Sequence, residues 1–205
     1  MPLKKIYLVR HGQTKFNQLN VVQGRGIDAS LNDTGSKQAI LFYQAYKSSS
    51  FEKIYISTLK RTRESVIKFI EEGIPYEAAT GLDEISWGKH EGAEASAERN
   101  TYFKYIIGEW KSGNTFIKID GGESPDDVAE RQAPVIEKII NSSEEVVLVC
   151  MHGRAIRILL CTLLGLPLSE MDSFEHHNLG LYILDYNAGK FSINLANATT
   201  HLSNG

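Results

Sequence analysis

The chain is poor in the residues that build special scaffolds. Its 205 residues include 2 cysteines, Cys150 and Cys161, each inside an apolar run. Two such residues make no disulfide framework; they read as small core side chains of a protein held in a reducing compartment. Prolines number 5, and no Pro-rich, repetitive or low-complexity stretch is present, which removes linkers and repeat arrays. No apolar run approaches the roughly 20 residues of a membrane-spanning helix. Met1 to Arg10 reads as a short basic-apolar strand and lacks the long apolar segment of a signal peptide. Net charge is scarce as well. With 22 basic and 25 acidic side chains the balance is −3, so no global field attracts nucleic acid or an anionic membrane. Any anion has to be caught by a local cluster. The hydrophobic share of 42% and charged share of 23% exclude a largely disordered chain. The expectation is a cytoplasmic protein with one domain over residues 1–205.

Strand and helix patterns alternate along the chain. Ile6-Tyr7-Leu8-Val9 is a short apolar run that stops at Arg10-His11-Gly12, as a strand buried on both faces would. Thr34 to Ser48 has helical periodicity, with Ala39, Phe42, Tyr43 and Tyr46 on one stripe. Lys53 to Ser57 reads as a second strand. A helix over Leu59 to Glu72 follows, ending at Gly73 with Pro75 beyond. Ser124-Pro125-Asp126-Asp127 is a helix start: a hydroxyl cap, proline at the first position, then acids in the first turn. Pro134 is expected to kink that helix. Val146 to Cys150 is the most strand-like run and ends at Met151-His152-Gly153. Ile156, Leu159, Leu160, Leu163 and Leu164 then stripe a helix closed by Gly165 and Pro167. Leu181 to Asp185 and Phe191 to Leu195 read as a hairpin around Asn187-Ala188-Gly189. This alternation predicts an α/β three-layer sandwich, a mainly parallel sheet flanked by helices, with a short helical cap at residues 93–120.

In such sheets ligands sit beyond the carboxyl ends of the strands. Two strands end in His-Gly, so His11 and His152 fall on one sheet edge. Arg10 at the rim of a buried strand needs an anion or carboxylate partner. Gly12 lets a backbone amide approach a ligand. Arg61 lies at a helix start, where amides and the positive dipole end also favour anions. Two arginines, two histidines and a helix terminus describe a phosphate pocket, because guanidinium forks fit phosphate oxygens. The arginines disfavour imidazolium and so keep His11 a neutral nucleophile; a carbonyl on the other ring nitrogen would fix its tautomer. His11 attacking phosphorus in line would give a phosphohistidine. The leaving oxygen then needs a proton, and Asp83 and Glu84 are nearly equal candidates on the residues alone.

Leu8-Val9-Arg10-His11-Gly12-Gln13-Thr14 resembles the signature of the histidine phosphatase superfamily, the phosphoglycerate mutase-like group. Asn17, Gln23-Gly24, Asp28, Leu31 and Thr34-Gly35 are similar to the stretch after that family's first strand. Ser57-Thr58-Leu59-Lys60-Arg61-Thr62 resembles its serine-to-arginine element, and Leu82-Asp83-Glu84 through Glu91-Gly92 its acid-base segment. Gly121-Gly122-Glu123-Ser124 and His152-Gly153 follow in family order. The resemblance implies His11 as nucleophile, Arg10, Arg61 and His152 as phosphate ligands, and Glu84 rather than Asp83 as proton donor and acceptor. It places Asn17, Gln23, Gly24, Gly153 and Arg154 at the substrate and implies no metal. Arg154 stands where mutases carry asparagine and could hold a second anionic group.

The function expected is hydrolysis of small phosphorylated metabolites without a cofactor. The nearest rival is a phosphoglycerate mutase, which would use bisphosphoglycerate. An inactive phospho-ligand-binding module and a metallohydrolase stand further off, since His11, His152 and Glu84 are all present and neither strand end carries clustered carboxylates. The short cap balances Arg99, Lys104, Lys111 and Lys118 against Glu94, Glu98, Glu109 and Asp120, which suits a single-phosphate substrate. The expected partner is a small phosphorylated metabolite, with neither nucleic acid nor membrane; a homo-oligomer is compatible with the pattern. His176-His177 reads as a loop or pocket wall rather than a metal pair. His90 and His201 read as solvated. Trp87, Tyr102, Phe103, Tyr105 and Trp110 read as cap packing, or alternatively as an apolar wall for the leaving group.

Overall fold

A computed structural model describes residues 3–93 and 96–203. Glu94 of the cap charge balance therefore lies outside the described residues, as do Met1 and Pro2. Six strands form one sheet: β1 (Lys4–Arg10), β2 (Lys53–Ile56), β3 (Tyr76–Ala78), β4 (Val146–Met151), β5 (Leu181–Asn187) and β6 (Lys190–Ala198). Their order is β3-β2-β4-β1-β5-β6. The first four in that order run parallel, and β5 and β6 add an antiparallel edge. The α/β architecture expected from the alternation is the one observed.

Successive side chains on a strand point to opposite faces, and here both faces are covered. On one face Ile6, Leu8, Val147 and Val149 pack with Val128, Ile136 and Leu159 from two helices, α5 (Pro125–Asn141) and α6 (Gly153–Leu164). On the other, Val9, Leu148 and Cys150 pack with Phe42, Val66 and Phe69 from α2 (Asp33–Tyr46) and α3 (Lys60–Glu71). A four-residue turn of helix, α1 (Lys15–Gln18), follows the first strand. Helix α4 (Ala97–Lys111) lies in the expected cap and buries Ile106 and Trp110. No helix of the described residues is long and apolar enough to cross a membrane.

Local chemistry explains the element ends. Ser124 caps α5 by accepting from the Asp127 amide, while Asp127 reaches back to the Ser124 amide. α6 stops at Gly165, whose φ of 67° suits a residue without Cβ. The β5–β6 hairpin turns through Ala188 and Gly189, both at positive φ, the geometry whose twist matches the strands. The expected kink at Pro134 is not a break: α5 runs on as one helix to Asn141. β3 has three residues on the sheet edge, too few and too exposed to carry a strand pattern.

Two expectations need correction. His90 and His201 are not solvated; they are 7% and 6% exposed. His90 stacks on Tyr102 at 4.4 Å, and His201 packs edge-on against Phe42 and Tyr46 while its Nε2–H donates to the Leu179 carbonyl. A neutral imidazole is flat and largely apolar in its ring, so aromatic neighbours bury it readily.

Candidate active site

Strands β1 and β4 pair in register from Lys5↔Val146 to Arg10↔Met151, so their carboxyl ends are flush. The next residues, His11 and His152, therefore sit side by side, with ring centroids 5.1 Å apart. The His11 amide donates to the Met151 carbonyl at 3.0 Å and locks the two ends together. Gly12 and Gly35 let the loop after β1 lie against the start of α2: a Cβ on Gly12 would meet the Gly35 carbonyl oxygen at 2.8 Å.

His11 is 2% exposed. Its Nδ1–H donates to the Gly12 carbonyl at 2.7 Å, which leaves the Nε2 lone pair free. Burial first, then Arg61 and Arg10, hold its pKa well below the ordinary imidazole value. Around it lies a cavity of about 190 Å³ whose walls include Arg10, Asn17, Gln23, Glu84, Arg154 and His176. Trp87 and Gly153 also reach it, so Trp87 serves both the cap packing and the wall. A larger cleft of about 500 Å³ opens beside the cap near His90 and Tyr102 and holds none of the strand-end residues.

Arg61 and His152 stand behind His11 rather than on the cavity wall; both are fully buried. Arg61 donates from Nε to His152 Nδ1, from Nη1 to the Ile27 carbonyl and from Nη2 to the Gly24 carbonyl. The Gln23 amide is satisfied with its oxygen towards Arg61, 2.8 Å from Nε, and its nitrogen towards Thr14 Oγ1. Since Nδ1 accepts from Arg61, the His152 Nε2–H donates to Ser57 Oγ at 2.7 Å. Burial and the nearby arginines lower the pKa of His152 as they do that of His11.

Glu84 and Asp83 separate clearly. Glu84 faces the cavity, and the start of α6 holds its carboxylate: Oε1 accepts from the Ala155 amide at 2.9 Å and Oε2 from the Arg154 amide at 3.2 Å. Asp83 turns away and accepts from the Thr58 amide and hydroxyl, with Arg25 3.5 Å off. Arg131 fixes the segment by donating to the Glu84 carbonyl and, through Nε, to Glu123. His176, which the sequence suggests as a loop or pocket-wall residue, lies on the cavity wall. Its Nδ1 accepts from Arg10 Nη1 at 3.1 Å, and its ring lies where a Cβ on Gly153 would meet it at 2.8 Å. His177 points elsewhere, to Asn197. Asn178 went unnoticed because nothing local marks it. It donates to the His11 carbonyl and to Asn17 Oδ1, tying the loop after β1 to the approach of β5. Among the described residues no three His, Cys, Asp or Glu side chains group to hold a metal.

Five buried or half-buried imidazoles with lowered pKa values give a pH dependence of stability, His90 and His201 among them. His11, His152 and His176 all have lowered pKa values, that of His176 pushed down to about 3 by burial and then by Arg10, Arg157 and Arg154. Folded, they stay neutral; unfolded, each binds a proton near pH 6.5. The unfolded chain thus holds more protons below that pH. Stability should fall as pH drops through about 6.5, by up to ~1.4 kcal/mol per pH unit per ring. Urea midpoints at pH 7.5 and 5.5 check this, and equal midpoints would show that the rings titrate in the native state as they do in the unfolded one.

Known proteins resemble this chain over nearly its whole length. The chain is 31% identical to the probable phosphoglycerate mutase GpmB of Photorhabdus laumondii, over 97% of this chain and 94% of that one. It is 29% identical to a broad-specificity phosphatase of Saccharomyces cerevisiae, over 98% and 88%. It is 28% identical to phosphoserine phosphatase 1 of Hydrogenobacter thermophilus, over 97% and 94%. The structure of a mycobacterial glucosyl-3-phosphoglycerate phosphatase complexed with VO3 superposes with a TM-score of 0.85 at 25% identity, over 96% and 100% of the two chains. Residues 6–199 match the family model of the histidine phosphatase superfamily (branch 1), and the chain belongs to that superfamily.

Proposed function

We propose that the chain hydrolyses small phosphomonoesters through a phosphohistidine on His11. The observation that carries this reading is a neutral His11 whose Nδ1 is committed to the Gly12 carbonyl beside an arginine-walled cavity. Nε2 attacks phosphorus, the phosphorus–nitrogen bond forms, and the bond to the ester oxygen breaks. Glu84 gives that oxygen its proton, then takes one from the water that attacks the phosphohistidine and releases phosphate. Arg10 neutralises charge on the transferring group from the wall, and Asn17, Gln23, Gly24 and Gly153 shape its seat. Arg61 and His152 act from behind: Arg61 keeps His11 neutral, and both reach the phosphate only by exchanging the contacts they now make. The segment 93–120 is the proposed cap.

Hydrolysis is favoured over mutase chemistry by the cap's own charges. Lys118 pairs with Asp127, so it is not left to grip a second phosphate of a bisphosphorylated intermediate. The phosphatases of yeast and Hydrogenobacter support the same reading, and the GpmB relative supports the mutase. Phosphate release from a metabolite panel, compared on one preparation with bisphosphoglycerate-dependent interconversion of the phosphoglycerates, decides. Interconversion a hundredfold faster, roughly 2.7 kcal/mol in barrier, would establish the mutase.

Activity should survive EDTA, because arginines supply the positive charge. Vanadate should inhibit, since its trigonal bipyramid resembles phosphorus in mid-transfer. Loss on chelation, restored by zinc or manganese, would instead support a metallohydrolase.

A further inference from the structure

We propose that His176 is a positioning residue of the phosphate pocket: its imidazole fixes which edge of the Arg10 guanidinium meets the phosphoryl group. This rests on the phosphoryl-transfer reading above and adds the part that aims the cation. Arg10 and His176 both stand on the wall of the cavity beside His11. Arg10 Nη1 donates to His176 Nδ1 at 3.1 Å and also reaches the His176 carbonyl at 3.4 Å. Because Nδ1 accepts, the ring proton sits on Nε2. A guanidinium presents its donors as two-pronged edges. With Nη1 committed, the edge left for an anion is Nε and Nη2. Nε is buried without a hydrogen-bond partner, a donor that a phosphate oxygen would satisfy.

The imidazole is itself held in place. Its ring lies against Gly153, where a Cβ would meet Cε1 at 2.8 Å and Nδ1 at 2.9 Å, so the first residue of α6 makes room for it. The loop that carries it is tied to the end of β1. The Leu179 amide donates to the Arg10 carbonyl at 3.0 Å, and the Asn178 side chain to the His11 carbonyl at 3.0 Å. The chemistry of the acceptor matters as much as its place. Glu84, on the same wall, is the carboxylate that attracts Arg10, yet its oxygens accept from the Ile85, Arg154 and Ala155 amides while Arg10 donates to His176. An ion pair between Arg10 and Glu84 would cancel the charge that the phosphate needs and occupy the proton donor. An imidazole turns the guanidinium without cancelling it. Burial, then Arg10, Arg157 and Arg154, push the His176 pKa down to about 3, so it stays an uncharged acceptor at neutral pH.

Equilibrium binding of inorganic phosphate and of vanadate tests this without turnover. His176→Phe keeps a flat ring against Gly153 but has no acceptor. It should weaken both ions about ten- to a hundredfold, the range of a hydrogen bond to a charged group. In an Arg10→Met background the same substitution should change affinity less than about twofold, because its target is gone. His176→Asn puts an amide oxygen where Nδ1 stands, and His176→Gln puts one where Nε2 stands. The first should restore most of the affinity and the second little, and this pair decides the matter if His176→Phe does not fold. Unchanged affinity in His176→Phe, an equal loss in the Arg10→Met background, or better rescue by His176→Gln would overturn the role of His176. The phosphatase reading would then still stand on turnover and a phosphoenzyme at His11. If the wild type binds neither ion and His11 takes no phosphate, both readings fall.

Discussion

Replacing His11 by alanine should abolish turnover while the chain still folds. Losses of about 10⁶-fold are measured when an enzyme nucleophile is removed. His152 does not stand in for it. Both ring nitrogens of His152 are committed, to Arg61 and to Ser57. The thiols of Cys150 and Cys161 are buried, and burial pushes their pKa values up, so neither offers a thiolate. The side chain itself makes one hydrogen bond, to its own neighbour's carbonyl, so its loss touches little of the scaffold. Brief exposure of the wild type to labelled substrate should trap an acid-labile, base-stable phosphoenzyme, as a phosphorus–nitrogen bond requires. Turnover by His11→Ala within tenfold of the wild type would remove the mechanism.

Glu84→Gln should produce the second-largest loss, and a selective one. General acid catalysis is worth roughly 10²–10⁴-fold, and it matters most when the leaving alcohol is a poor acid. Alkyl phosphates should slow by that factor and aryl phosphates far less. The variant keeps the shape of the side chain, although its amide nitrogen must face one of the α6 amides that now donate to the carboxylate. Asp83→Asn should behave differently. Its carboxylate accepts from Thr58 twice and lies near Arg25, so its replacement should cost stability, about 1–3 kcal/mol, more than rate. Equal slowing of alkyl phosphates by both variants would mean that the proton comes from elsewhere.

The parts of this molecule that announce themselves in sequence are those governed by local periodicity and by residues with few roles. The buried runs of β1 and β4, the Ser124 cap and the Gly165 stop follow from backbone chemistry within a few residues. The meeting of His11 and His152 was legible because parallel strands place their ends on one edge. The choice between Asp83 and Glu84 was not legible from the residues alone. It depends on which carboxylate meets the amides at the start of α6, about 70 positions on. His90 and His201 were misread for the same reason: their aromatic partners come from other elements. Asn178 and His176 contribute through contacts more than 160 positions away, which no window along the chain can see.

The flush pairing of β1 with β4 also sets when the site can exist. β4 lies between β2 and β1, so the two strands made first do not pair with each other and are joined only through the later one. Every hydrogen bond of that central ladder joins segments some 140 residues apart. Such contacts are slow to form, because a long loop must close before they yield anything. A growing chain that has finished its Arg10-His11-Gly12 loop still lacks the Met151 carbonyl that holds His11 and the α6 amides that hold Glu84. His11 lacks its anchor until β4 has been made, and any fragment ending before β4 carries the signature residues without the assembled site.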